Sequence, residues 1–115
     1  MKSGTDMIAE AKAKIKEVSA RSLVENPQPD VVLIDCRELN EWNLGHIPGA
    51  IYVPRGRLEQ NIEAAVDRDK KIVVYCQSGN RSALAADTMQ QMGYTDVASM
   101  SGGIREWADS GGEIE

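Results

Sequence analysis

Cys76 and Arg81 stand with four residues between them in the segment Tyr75-Cys76-Gln77-Ser78-Gly79-Asn80-Arg81-Ser82. The β-branched run Lys71-Ile72-Val73-Val74-Tyr75 precedes this segment, and a helix-compatible run follows it. A loop between a strand and a helix can curl until several backbone N–H groups converge on one point. Gly79 and Asn80 tolerate the dihedrals that this requires. The helix start adds unpaired N–H groups and the positive end of its dipole. Together these features make an anion cradle. Its first anion is the Cys76 thiolate, whose pKa is expected to fall below the free-thiol value of about 8.5 without a histidine base. Arg81 in the first helical turn opposes the dipole, and makes sense if its guanidinium fork holds an anion there. The chemistry on offer is nucleophilic attack by sulfur. The plainer alternative makes Cys76 a small strand-end hydrophobe and Arg81 a solvated cation.

Other candidate residues carry weaker signals. Asp35 and Arg37 flank the end of another apolar run, where an ion pair or a loop brace with Glu41 is the plain role and orienting the active loop a related one. Cys36 lies between them. It is either a buried, inert thiol or, if it faces Cys76, a residue that resolves a persulfide or forms a regulatory disulfide. His46 sits in a Gly-His-Ile-Pro-Gly turn and is expected to hydrogen-bond that turn to the body of the domain. Arg55 and Arg57 follow Pro54, where drawing in an anionic donor and plain solvation are both open. Trp42 and Trp107 are expected to anchor the core. One histidine cannot complete a zinc site with two cysteines, and no CxxC occurs, so no metal and no cofactor are expected.

Four blocks in order resemble the rhodanese-like domains, the single-domain thiosulfate and persulfide sulfurtransferases. Asp35-Cys36-Arg37-Glu38, Glu41-Trp42 and Gly45-His46-Ile47-Pro48-Gly49-Ala50 are similar to the first signature, and Cys76 to Ser82 to the active-site loop. Gly93-Tyr94 resembles the turn after the next helix. Gly102-Gly103 with Trp107 and Gly111 resembles the C-terminal signature. The resemblance runs from about Val18 to Gly112 and leaves residues 1–17 as a helical extension before a domain at 18–115.

It implies a three-layer α/β fold with a mostly parallel five-stranded sheet and helices on both faces. It also implies that Cys76 takes sulfane sulfur from thiosulfate, a persulfide or a polysulfide. Cys76 would then pass the sulfur to a thiol or cyanide. Gln77, Ser78, Gly79, Asn80, Arg81 and Ser82 would form the substrate cradle, supported by Asp35 and Arg37. An alternative is a sulfur-carrier module that serves a protein relay with little small-molecule turnover. A third reading, an arsenate reductase or phosphatase of the same fold, fits less well. Those relatives resemble C-x5-R, one residue longer, and phosphate-ester cleavage needs a general acid that has no clear candidate here.

The elements that must position this loop are legible in part. Met7, Ile8, Ala11, Ile15 and Val18 recur at helical spacing, with Ser3 or Thr5 as cap. The helix they predict is either a packed arm or a partner-binding surface. A short helix around Ala20 to Glu25 and a turn at Asn26-Pro27-Gln28-Pro29-Asp30 follow. Val31 to Asp35, Ala50 to Val53, Lys71 to Tyr75 and Val97 to Met100 read as strands buried in a parallel sheet. Between them lie helical runs at Leu39–Leu44, Leu58–Val66, Arg81–Met92 and Ile104–Ala108. Small residues at Ala85 and Ala86 let a helix lie close to the sheet. Alternating strands and helices place a ligand at the carboxyl ends of the strands.

Composition excludes several classes. The 115 residues suit one domain. Apolar residues make up 42% and charged residues 27%, a folding composition rather than a disordered one. Thirteen basic against eighteen acidic residues give a charge of −5, the wrong sign for nucleic acid or an anionic membrane surface. Lysines and acidic residues interleave near the start with no continuous apolar stretch, so no secretory signal and a cytoplasmic, reducing location are expected. The expected state is a monomer or weak dimer.

Overall fold

Short apolar runs build the centre of the sheet because each is buried on both faces. The computed structural model describes residues 1–115. Its elements are α1 (Gly4–Lys14), β1 (Lys16–Ser19), α2 (Ala20–Glu25), β2 (Val32–Asp35), α3 (Leu39–Leu44) and β3 (Ile51–Tyr52). After a 3-10 turn at Arg55–Arg57 come α4 (Leu58–Ala65), β4 (Ile72–Tyr75), α5 (Asn80–Gln91), β5 (Val97–Ser101) and α6 (Gly103–Asp109). The five strands lie in the order β1-β5-β4-β2-β3, and every pairing is parallel. The central strand β4 is buried at all its positions.

Alternation along the strands divides the interior into two layers. Ile34, Ile72, Val74 and Val97 face α4 and α5, meeting Leu58, Ile62, Ala85, Ala86 and Met89. Val73, Tyr75 and Met100 face the other way, meeting Leu23 of α2, Ile104 of α6 and Ile47. Each fully buried aliphatic side chain stabilises the fold by ~1.5–3 kcal/mol. Truncating one, as in Ile62→Ala, costs about 2–5 kcal/mol because a cavity adds to the lost transfer energy. Small residues on α5 bring its axis close to β4 and β5, which sets the height of the loop at its start.

The N-terminal segment departs from the sequence reading. Helix α1 stops at Lys14 and does not run on to Val18, and Lys16–Ser19 forms an edge strand against β5, with Val18 beside Met100. Ser3 caps α1 through a reciprocal capping box with Asp6. Its one buried residue, Ala11, seats it on α5. Of the two tryptophans, Trp42 departs from expectation. Both are half-buried: Trp107 packs against the core layer of Tyr75 and Met100 as expected, whereas Trp42 packs against neither core layer. Trp42 stacks on His46 at 3.5 Å, and Trp107 donates its indole N–H to the Glu113 carbonyl at 2.8 Å.

Candidate active site

Strand β4 ends at Tyr75, and Cys76 enters the loop directly from it. Gly79, at φ +109°, caps α5 and turns its N–H onto the Cys76 sulfur at 3.1 Å. A side chain at Gly79 would be strained by that φ and would press on the Met100 carbonyl at 3.4 Å. Ser82, one turn into α5, sets its hydroxyl 3.5 Å from the same sulfur, where it accepts from the Cys76 thiol when that is protonated. Its hydroxyl also meets that of Ser99 from β5 at 2.8 Å. With Cys76 ionised, Ser82 donates to the sulfur and Ser99 donates to Ser82, so each bond polarises the next.

Helix α6 holds the loop from behind. The N–H of Ile104 donates to the Cys76 carbonyl at 2.9 Å, and that of Arg105 to the Gln77 carbonyl at 3.3 Å. Gly103 permits this approach, because a Cβ there would collide with the Gln77 carbonyl carbon and oxygen and lie 2.6 Å from the Ser78 nitrogen. Two loop carbonyls therefore face α6, which leaves the loop amides free to turn inward.

Cys36 completes the environment of the sulfur. It follows β2 as Cys76 follows β4, so the register sets its thiol beside the Cys76 sulfur. The neighbouring Cys36 thiol is the largest influence pulling the Cys76 pKa well below the free-thiol range. Burial opposes it, and the Ser82 hydroxyl, Ser82 N–H and Gly79 N–H reinforce it. The Cys36 thiol is pushed up by Cys76 beside it and by burial. The environment therefore favours the proton on Cys36 and the negative charge on Cys76.

The match to family models is unambiguous: the model described as rhodanese-like domain covers residues 17–110. The chain belongs to the rhodanese-like domain family. Among its relatives, the "Putative sulfur carrier protein YrkF" of Bacillus subtilis is 31% identical over 93% of this chain and 58% of its own length. Among solved structures, a Rhodopseudomonas palustris protein of unknown function, described as a possible tyrosine phosphatase, matches with a TM-score of 0.86 and 37% identity, covering 100% of this chain and 96% of that one. The polysulfide-sulfur transferase of Wolinella succinogenes matches with a TM-score of 0.77 and 30% identity, over 95% of this chain and 84% of that one. The chain spans 20–63% of the length of curated relatives it matches.

This rhodanese-like domain brings some expected site residues together and separates others. Gly79 and Ser82 bond the Cys76 sulfur. Ser78 and Asn80 lie exposed on the outside of the loop, and Gln77 is half-buried. The fork of Arg81 is closed on Glu41 of α3, at 2.6 and 2.9 Å, so the anion in its grip is a side chain of the protein. That grip holds the Glu41 carboxyl down to about 2. Glu41 therefore braces Arg81 and not the Asp35–Arg37 pair. Asp35 and Arg37 point to the opposite face of the sheet from Cys76. There the Arg37 guanidinium binds Asp35 at 2.7–3.1 Å and the Gly45 carbonyl at 2.7 Å, fixing the turn after α3. His46 bonds the Trp42 carbonyl through Nδ1 at 3.1 Å. Arg55 is held by Glu59 and Thr88, while Arg57 is exposed.

Sequence reasoning missed Ser99, because a serine inside a strand carries no local signal of what it faces. No group of three His, Cys, Asp or Glu side chains is placed to hold a metal ion, and no helix is long and apolar enough to cross a membrane. A cavity of about 430 Å³ lies between α2 and the C-terminal tail and shares no residue with the Cys76 loop. At the loop, Cys76 is only 1% exposed.

Proposed function

We propose that this domain is a sulfurtransferase that carries sulfane sulfur on Cys76. The observation that carries the reading is a cysteine sulfur at a strand–loop–helix junction that accepts the Gly79 N–H at 3.1 Å and lies 3.5 Å from the Ser82 hydroxyl, surroundings that favour its thiolate. The thiolate attacks the outer sulfur of thiosulfate, the S–S bond of the donor breaks, and sulfite leaves with the bonding electrons. Cys76 is then a persulfide. An acceptor thiolate or cyanide attacks the outer sulfur, and the Cys76 thiolate is expelled unchanged. No general base is needed because the nucleophile is already ionised, and no general acid because sulfite leaves as a stable anion. The amides stabilise charge on sulfur in every state along this path, and they are oriented before the reaction starts.

The likeness to a possible tyrosine phosphatase does not change the reading. Arg81, the only loop cation, is already forked by Glu41, and the loop is one residue shorter than the phosphatase pattern. Both features leave room for a sulfur atom rather than a phosphate ester. A second reading, a sulfur carrier loaded by a partner protein, is favoured by the 1% exposure of Cys76 and by the likeness to YrkF. A partner that parts the loop on docking would load Cys76 faster than a free anion repelled by a charge of −5.

The test is sulfite release under single-turnover conditions. Excess thiosulfate is expected to release about one sulfite per chain from the natural protein and none from Cys76→Ser. Sulfite release by Cys76→Ser at the natural rate refutes the assignment. A loading rate that rises by orders of magnitude with a cysteine-desulfurase donor selects the carrier reading.

A further inference from the structure

The two cysteines are abreast. Strands β2 and β4 are parallel neighbours with Asp35 beside Tyr75, so the next residues, Cys36 and Cys76, stand at the same height. Both side chains enter the same core layer as Ile34 and Val74. Neighbouring strands lie about 4.8 Å apart, inside the ~4.4–6.8 Å Cα separation that a disulfide spans. Neither cysteine is in a disulfide, and the two stand close enough for each to shift the ionisation of the other. The Cys36 backbone is anchored on both sides, its N–H on the Tyr75 carbonyl and its carbonyl on the Arg55 N–H, each at 3.0 Å. Cys36 is buried behind the loop, and the sulfur that the register sets beside it is Cys76. A buried thiol beside an ionised one serves a fold no better than the valine or alanine that would fill the same space.

We propose that Cys36 is a resolving thiol, which attacks the persulfide on Cys76, releases the carried sulfur as hydrogen sulfide and leaves a Cys36–Cys76 disulfide. The inference rests on the persulfide reading above and adds a second activity to it: reduction of sulfane sulfur to sulfide. The Cys36 sulfur bonds to the Cys76 sulfur, and the bond from Cys76 to the outer sulfur breaks. The outer sulfur leaves with that electron pair and takes the proton from Cys36. The sulfane sulfur gains two electrons, and each cysteine sulfur gives up one. With thiosulfate as donor the sum is two thiols and thiosulfate going to one disulfide, sulfite and hydrogen sulfide. No outside oxidant enters. A dithiol reductant is needed to open the disulfide for another cycle.

The environment orders the two steps. Before loading, the charge on the Cys76 sulfur repels charge on Cys36 and keeps it a thiol. Loading moves the charge outward by one S–S bond, about 2 Å. The repulsion then weakens, and the inner sulfur becomes electrophilic toward its neighbour. Reaction therefore follows loading and does not compete with it.

The experiment is anaerobic incubation of the full chain with excess thiosulfate and no added thiol. Sulfite and sulfide are quantified, followed by intact-mass analysis and non-reducing peptide mapping. The natural protein is expected to release about one sulfide per chain, lose about 2 Da and yield a Cys36–Cys76 cross-linked peptide. Cys36→Ser, with Cys36→Val as a second variant, loses the neighbour that most favours the Cys76 thiolate, so each is expected to release sulfite more slowly but to the same one per chain, to release no sulfide and to retain about 32 Da on Cys76. Retention of that mass by the natural protein, with sulfite released and sulfide absent, overturns the resolving role and leaves the sulfurtransferase reading standing. Failure of the natural protein and both variants to release sulfite overturns the two together.

Discussion

Ser82→Ala separates the electrostatic role of the cradle from its packing. The substitution removes the hydroxyl at 3.5 Å from the Cys76 sulfur and keeps the backbone N–H. A hydrogen bond to a charged group contributes ~1.5–3 kcal/mol, and ~1.36 kcal/mol corresponds to one pH unit, so the Cys76 titration should rise by about 1–2 pH units. The same change orphans the Ser99 hydroxyl, which is wholly buried, at a stability cost of about 1–3 kcal/mol. The two effects are separable. Ser82→Ala/Ser99→Ala removes the orphan and should recover part of the lost Tm without restoring the titration. The assay is the rate of Cys76 alkylation by iodoacetamide against pH, read by peptide mass, alongside thermal denaturation. The natural protein should keep its alkylation rate as pH falls below about 7, where an ordinary thiol has already lost it. An inflection in Ser82→Ala within about 0.3 pH units of the natural protein refutes the hydroxyl's part in holding the thiolate.

Glu41→Gln frees the Arg81 fork, and sulfite should then protect Cys76 from alkylation at about tenfold lower concentration, because a guanidinium–oxyanion bond is worth ~1.5–3 kcal/mol before solvent screening. Acid denaturation should register the same pair. The Glu41 carboxyl is held down to about 2, so its contribution is complete above the ordinary value near 4.3 and is lost as pH falls toward 2. Glu41→Gln should flatten that acid limb. Gly103→Ala drives a methyl group into the Gln77 carbonyl, so it should lower Tm and slow sulfite release together; unchanged values of both would show that α6 does not hold the loop. Ala11→Glu places a charge between α1 and α5 and should cost more stability than Ala9→Glu on the exposed side of the same helix, with sulfite release per folded chain unchanged.

The central strands were readable because β2 and β4 are continuous β-branched runs, and a strand buried on both faces has no polar positions to confuse it. Helix α5 was readable from small residues on its inner face and the glycine that follows. Strand β1 was not. Lys16-Glu17-Val18-Ser19 offers a single apolar residue, and its strand state comes from backbone bonds to β5 at a sheet edge with solvent beside it. Its apolar spacing, Ile15 then Val18, fits one helical turn equally well. Trp42 misled for a related reason. Size favours burial, but it sits on a short surface helix with no buried residue.

Residues 76–82 by themselves determined that a cysteine sulfur sits in a loop with a backbone amide turned onto it. A strand, a flexible glycine and a helix start are covalently consecutive there, so their geometry follows from local conformation. Tertiary structure alone decided what surrounds that sulfur. Cys36 arrives from β2, Ser99 from β5 and the supporting amides from α6, while Arg81 is claimed by Glu41 forty positions away. Parallel strands in register bring residues of equal height abreast however far apart they lie in the chain, and no local pattern records which partner that will be.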